Sequence, residues 1–287
     1  MIQRSYLDSK SNCYIIPTPI GNMEDITLRA IRLLKEVDAI FAEDTRVTQN
    51  LLTNLKIKNK IYQCQKFNEI KASKLMIKLL NEGKNIAVVT DRGTPLISDP
   101  GYVALKSVVK EGYNIIALPG ASALLPAINM SNLDQDKFLF YGFLDSKESA
   151  LIKELESIKD LKFTIILYEA PHRLYKTLQN VLKILGNRQI SISREITKLH
   201  EEVFRGSVLE ALDNYKGDVK GEIVIVIEKG NTTNNIDDAY LKYVELVSLG
   251  MSSKNAIKYI SRELGVSKNE LYDMYEVKKN ETDSGIR

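Results

Sequence analysis

Only two cysteines, Cys13 and Cys64, and two histidines, His172 and His200, occur among the 287 residues, and neither pair has metal-ligand or redox spacing. A disulfide framework and a zinc site are not expected, and no metal is. Charge of one sign is also missing: 40 Lys and Arg stand against 37 Asp and Glu, a net +3. That balance neither demands nor excludes a nucleic-acid partner, so any basic surface must be local. No apolar run approaches membrane-spanning length, and the opening, Met1 to Asn12, is polar without the apolar core of a secretory signal. A soluble, cytoplasmic chain with no membrane partner is expected. Neither a G-x-G-x-x-G nor a Walker sequence occurs, which disfavours dinucleotides and nucleoside triphosphates.

The length exceeds that of a typical single domain, and 44% apolar residues can fill a sizeable core. Apolar runs at Tyr14-Ile15-Ile16, Ala39 to Ala42, Ile86 to Val89 and Ile115 to Leu118 alternate with helical-period segments. This pattern predicts an α/β domain with a largely parallel sheet over 12–131. Runs at Phe138 to Tyr141, Phe163 to Tyr168, Ile190 to Ser193, Val203 to Gly206 and Ile223 to Ile227 follow more closely on one another, predicting a second α/β domain with a mixed sheet over 132–230. Gly230 to Asn235 reads as a linker to a small helical unit over 236–277. There Ile260, Leu264, Val266, Leu271 and Met274 are spaced to pack two short helices about Gly265-Val266-Ser267, with Ser267 as N-cap, in a helix-turn-helix pattern. Lys254, Lys258 and Arg262 share one face and could meet phosphates, although residues 236–287 carry eight basic and nine acidic side chains. A packing or dimer-supporting helical pair is the other reading.

Four strand ends in the first half open into unusual loops: Pro17 to Asn22, Glu43-Asp44-Thr45-Arg46, Thr90 to Gly101 and Pro119 to Ala123. Ligands of open parallel sheets bind at the carboxyl ends of the strands, so these loops should share one rim. Gly93 and Gly101 permit unusual backbone angles, while Pro95 and Pro100 remove amide donors and leave bare carbonyls. Such a loop is either a plain crossover turn or a site for a cationic ligand, of which S-adenosylmethionine is one. Glu43 and Asp44 point to opposite sides of an extended strand end, so one could face a cleft while the other caps the next helix; both could equally be dipole-favoured helix charges. Arg46 could pair with a carboxylate or hold a phosphate. Tyr168 and Glu169 end another apolar strand and could reach an inter-domain cleft or merely close the strand. The charged connection holding Arg194, Lys198, Glu201 and Glu202 reads as a solvated hairpin, unless Arg194 and Lys198 meet an anionic substrate.

The segments YIIPTPIGNMEDITLRA (14–30), FAEDTR (41–46), DRGTPLISDPGY (91–102), LPGASAL (118–124), YEAPHR (168–173), REITK (194–198) and GEIVIVIE (221–228) together closely resemble the ribosomal RNA small subunit methyltransferase I family. Its members are 16S rRNA (cytidine-2'-O)-methyltransferases of the tetrapyrrole methylase superfamily. The resemblance spans nearly the whole chain. It implies two α/β domains with S-adenosylmethionine in the cleft between them, a homodimer, and 16S rRNA or the 30S subunit as substrate. By similarity the cofactor would touch Ile20, Gly93, Thr94, Pro95, Ile97, Ser122, Ala123, Tyr168, Gly221, Glu222 and Ile223. Two departures stand out: Arg92 where the family more often has a small residue, and Gln63 to Phe67 without the histidines often found before Asn68-Glu69. Arg92 could reach toward RNA phosphate or point to solvent.

The expected reaction is in-line displacement by a ribose 2'-oxygen, with Glu43 or Glu169 as proton acceptor and Asp44 as a third carboxylate candidate. Alignment of two reactants supplies roughly 7–11 kcal/mol and a general base about 10²–10⁴-fold, so positioning should dominate. Two other functions use the same fold and composition: methylation of a small tetrapyrrole, and non-catalytic RNA binding in assembly.

Overall fold

The computed structural model describes residues 2–5, 11–230, 233–264, 268–269, 271–273 and 275. The first sheet is wholly parallel and joins β1 (Asn12–Ile15), β2 (Ala39–Ala42), β3 (Ile61–Gln63), β4 (Ile86–Val89) and β5 (Asn114–Ala117) in the order β3-β2-β4-β1-β5. Strands β2 and β4 are buried at all four positions, which is why they read as unbroken apolar runs. Helices α1 (Leu28–Glu36) and α2 (Thr45–Asn54) cover one face, where Leu33, Leu34 and Leu52 pack on Ile40 and Val89. On the other face α3 (Glu69–Asn81) and α4 (Tyr102–Lys110) lay Met76, Leu80, Leu105 and Val108 on Phe41 and Val88. The apolar runs found in the sequence include β1, β2, β4 and β5 but not β3. With three residues, none fully buried, β3 has too little pattern to show.

Helix α5 (Leu124–Ser131) follows β5 but packs on a different sheet. That sheet has the order β6-β7-β10-β8-β9, built from β6 (Phe138–Phe143), β7 (Thr164–Glu169), β8 (Gln189–Arg194), β9 (Glu202–Ser207) and β10 (Ile223–Ile227). Only β6 and β7 pair in parallel, so the sheet is mixed, as the closely spaced runs imply. Strand alternation splits its side chains into two sets. Ile165, Leu167, Ile192 and Ile225 face α6 (Glu148–Ile158), α7 (Leu174–Leu185) and α8 (Val208–Asn214). Ile166, Val224 and Val226 face the other way and bury Ala127 and Ile128 of α5, together with Ile20 of the first half and Ile196. This apolar cluster fastens one sheet to the other.

Helix α9 (Thr233–Ser248) starts inside the segment read as a linker, because its first residues, although polar, are helical. It pairs with α10 (Ser253–Leu264) through Ala239, Tyr243, Ala256, Ile257 and Ile260, and Leu271 joins them. The expected N-cap Ser267 and the neighbouring Gly265, Val266 and Met274 lie outside the described residues. Among the described residues no helix is long and apolar enough to cross a membrane.

Asn68 and Glu69 act on the backbone. The Asn68 side chain accepts from the Gln65 amide at 2.8 Å, closing the turn before α3. Helix α4 begins after Gly101, which has no side chain to cap it. Instead the buried Glu69 carboxylate accepts from the amides of Val103 at 2.7 Å and Ala104 at 3.2 Å, satisfying two of the donors that a helix start leaves open. The start of α3 is thereby tied to the end of the Thr90–Gly101 loop. Glu69→Ala should lower the unfolding free energy by about 1–3 kcal/mol, since two helix-start amides, that of Ala104 buried, lose their acceptor; a urea titration with an unchanged midpoint would contradict this.

Candidate functional site

A cavity of about 320 Å³ lies where the carboxyl ends of β1, β4 and β5 meet the second sheet. Its construction begins with a short bridge. Thr18 and Gly93 exchange two backbone hydrogen bonds, each of 2.9 Å, joining the loop after β1 to the loop after β4. The Thr94 hydroxyl then donates to the carbonyl of Ala121 at 3.0 Å, adding the loop after β5. Gly93 has φ +82°, which strains any other residue, and a Cβ there would press on Ile20, standing 3.3 Å from its Cγ2. Leu96 and Ser98 also hold positive φ, at 73° and 68°, a strained conformation for non-glycine residues. The second sheet closes the cavity. Tyr168 lies edge-on to Phe140 and Phe143, at centroid distances of 4.9 and 5.6 Å, and the bulge in β6 at Gly142 brings that strand against Ser98.

Of the residues expected at the cofactor, Ile20, Gly93, Thr94, Ile97, Ser122, Ala123, Tyr168, Glu222 and Ile223 line this cavity. Pro95 and Gly221 do not. Gly221, at φ +94°, makes room for Glu195, whose Cγ would sit 2.4 Å from a Cβ at that position. Ser98, Asp99, Phe143 and Ile196 line the cavity although sequence reasoning did not single them out.

Asp99 is the carboxylate that the sequence reading overlooked. Burial raises its carboxyl to about 6, with Glu43 and Asp91 nearby adding to the rise and the neighbouring Thr90 hydroxyl opposing it. Glu43 belongs to the same group, accepting from the Thr90 hydroxyl at 3.0 Å. The other two carboxylates named as catalytic candidates are engaged elsewhere. Asp44 is the N-cap of α2: it accepts from the Arg46 amide at 2.8 Å and pairs with the Arg46 guanidinium at 2.6 Å, which holds its carboxyl down at about 2. Glu169 borders the cavity, but its side chain is buried. Its carboxylate takes the face of β7 opposite Tyr168, where it accepts from Thr177 at 2.5 Å and from the Ala170 amide at 2.8 Å, and pairs with Arg173 at 3.2 Å. Adjacent strand residues must point apart, so Tyr168 and Glu169 could not both enter the cleft.

The expected RNA-facing cations are mostly paired. Arg92 meets Glu222 at 2.5 Å, and Lys198 meets Glu222 at 2.9 Å and Glu195 at 2.7 Å, so a charged strap crosses the cleft mouth from the first half to the second. Arg194 pairs with Glu202 at 2.8 Å, and Arg46 with Asp44. Lys258 is exposed on α10; the Arg262 side chain lies outside the described residues.

Comparison with known proteins bears on the fold and the family. Residues 12–212 match the family model described as Tetrapyrrole (Corrin/Porphyrin) Methylases. The fold is similar to that of a cobalt precorrin-4 methyltransferase, with a TM-score of 0.57 at 20% identity over 76% of this chain and 94% of the other. It is similar too to uroporphyrin-III C-methyltransferase of Thermus thermophilus complexed with S-adenosyl homocysteine, with a TM-score of 0.55 at 17% identity over 77% and 98%. The fold is therefore that of the tetrapyrrole methylases. Within that class the chain is 42% identical over 283 residues to the ribosomal RNA small subunit methyltransferase I of Halalkalibacterium halodurans, covering 95% of this chain and 98% of the relative. The Bacillus subtilis protein of that name is 41% identical over 93% and 94%. The chain belongs to the ribosomal RNA small subunit methyltransferase I family. A Thermotoga maritima member, 44% identical, aligns over 96% of its own length but only 74% of this chain, so members of that name differ in length.

Because Glu169 anchors the start of α7, Glu169→Gln should cost about 1.5–3 kcal/mol of stability while leaving ligand affinity in the cavity unchanged. Thermal unfolding and calorimetric binding measured on the same sample check this, and loss of affinity at unaltered stability would return Glu169 to the site.

Proposed function

We propose that this protein is an S-adenosylmethionine-dependent methyltransferase acting on the 2'-hydroxyl of a cytidine ribose in the decoding region of 16S rRNA, in the cytoplasm and as a homodimer. The observation that carries the chemistry is the cavity at the sheet junction, where apolar walls meet one half-buried carboxylate. Its size suits a small-molecule site. Ile20, Ile97 and Ile223 offer apolar surface, Asp99 offers negative charge to a cationic ligand, and the bare backbone of Gly93 permits close approach. A dinucleotide would need a glycine-rich phosphate cradle, which the chain lacks. The family of the relatives supplies the RNA half of the reading.

Ile20, Gly93, Thr94, Ile97, Ser122, Ala123, Tyr168 and Glu222 would hold the cofactor. When bound, S-adenosylmethionine supplies a methyl group on a sulfonium, and S-adenosylhomocysteine leaves. The chain's own task is to align the acceptor hydroxyl and receive its proton. Asp99 takes that proton, with Glu43 and Thr90 setting its position. The Thr18–Gly93 bridge and the Glu69 cap hold the loop that carries Asp99, so most of the rate comes from alignment.

Tritium from labelled cofactor should pass to 30S subunits or 16S rRNA and not to a porphyrin precursor. Gly93→Val, which crowds Ile20 and strains the backbone, should abolish both transfer and cofactor binding; undiminished transfer by that variant, or label in the porphyrin, would contradict the assignment. A proton acceptor works only when ionised. With the Asp99 carboxyl at about 6, turnover should rise as pH rises through 6 and level off above it, instead of levelling off near the ordinary carboxylate value of about 4. Asp99→Asn should lower kcat by about 10²–10⁴-fold and remove that step; a pH profile identical to wild type would exclude Asp99 as the base.

A further inference from the structure

A second cavity, of about 490 Å³, shares Ser98 and Asp99 with the first and is lined beyond them by Glu43, Gln65, Lys66, Phe67, Glu69 and Pro100. Two cavities that share a wall suit an in-line displacement. The attacking oxygen must approach from the side opposite the leaving sulfur, so donor and acceptor need separate spaces that meet at the transferred group. If the first cavity holds the donor, the acceptor belongs in the second.

What lines the second cavity indicates the chemistry of its occupant. The Phe67 ring is 98% exposed, although large aromatic side chains are normally buried. It sits on a turn held by hydrogen bonds between Gln65 and Asn68 in both directions, the Asn68 amide to the Gln65 carbonyl at 2.9 Å and the Gln65 amide to the Asn68 side chain at 2.8 Å. The ring is therefore presented on a fixed support. Lys66, also exposed, places a cation next to it, and the half-buried Gln65 adds a carboxamide that can both donate and accept. A flat apolar surface, a cation and a carboxamide suit the π-face, the phosphate and the polar edge of a nucleotide in that order.

Resting on the methyltransferase reading above, we infer that the second cavity is the acceptor subsite and seats a single nucleotide splayed out of its RNA strand. Its base stacks on Phe67, an adjoining phosphate meets Lys66, and its ribose lies against Asp99. Taking a nucleotide out of its stack lets the first cavity stay small and closed to the rest of the RNA.

Steady-state methyl transfer to unmethylated 30S subunits and calorimetric titration with S-adenosylhomocysteine, run on wild type, Phe67→Ala and Phe67→Trp, test this. Phe67→Ala should raise KM for the subunit roughly 5- to 150-fold, the range of a lost base–aromatic stack, while affinity for S-adenosylhomocysteine stays within about twofold. Phe67→Trp should restore KM. The natural chain has no tryptophan, so that variant also carries a single reporter ring, whose emission should be quenched by unmodified 16S rRNA and not by S-adenosylhomocysteine alone. An active wild type with an indifferent Phe67→Ala, an equal loss of cofactor affinity in that variant, or no quenching by RNA would each overturn the subsite and leave the methyltransferase reading standing. A wild type that transfers nothing to RNA would overturn both.

Discussion

Helix α5 belongs to the first half by sequence and to the second by packing, and the cleft exists because of that. Ala127 and Ile128 are buried under Ile166, Val224 and Val226, while Ile20 reaches into the same cluster from the loop after β1. Each fully buried aliphatic side chain contributes about 1.5–3 kcal/mol, so a handful of them outweighs the Arg92–Glu222–Lys198 strap, whose exposed pairs are worth about 0–1 kcal/mol each. Apolar contact fixes the two sheets, and the charged strap adds register at the cleft mouth. With the sheets fixed, Tyr168 and Phe143 of one half stand across from Gly93 and Ile97 of the other.

The Thr90–Gly101 loop is shaped by demands from both sides. Backbone bonds to Thr18 hold its start, and the Glu69 carboxylate caps the helix at its end. Between these anchors Leu96 and Ser98 adopt positive φ, and Asp99 is left at the wall common to both cavities. Strain of this kind persists only where neighbours enforce it, and here it sets a carboxylate between the two cavities.

Much of this could be read from the residues. The parallel first sheet, the mixed second sheet and the rim of loops follow from apolar runs and their spacing, because covered sheets need continuous apolar strands. Asp99 escaped notice because its loop was valued for glycine and proline, and burial cannot be read from a local pattern. The partners of the Glu169 carboxylate, Thr177 and Arg173, were legible only in part: Glu169 follows Tyr168 in a strand, and alternation sends the two side chains to opposite faces. The pairing of Arg92 with Glu222, 130 residues apart, has no local signature, so cations that looked ready for RNA turned out to be engaged. Strand β3 and the helical start at Thr233 were too short or too polar for periodicity to reveal.

The central claim is that one ligand is held by both halves at once. Hydrogen exchange with and without S-adenosylhomocysteine tests it most directly. Protection is expected together in 91–99 and 121–123 of the first half and in 168–171 and 221–222 of the second. Protection confined to one half, or located away from these loops, would contradict the account.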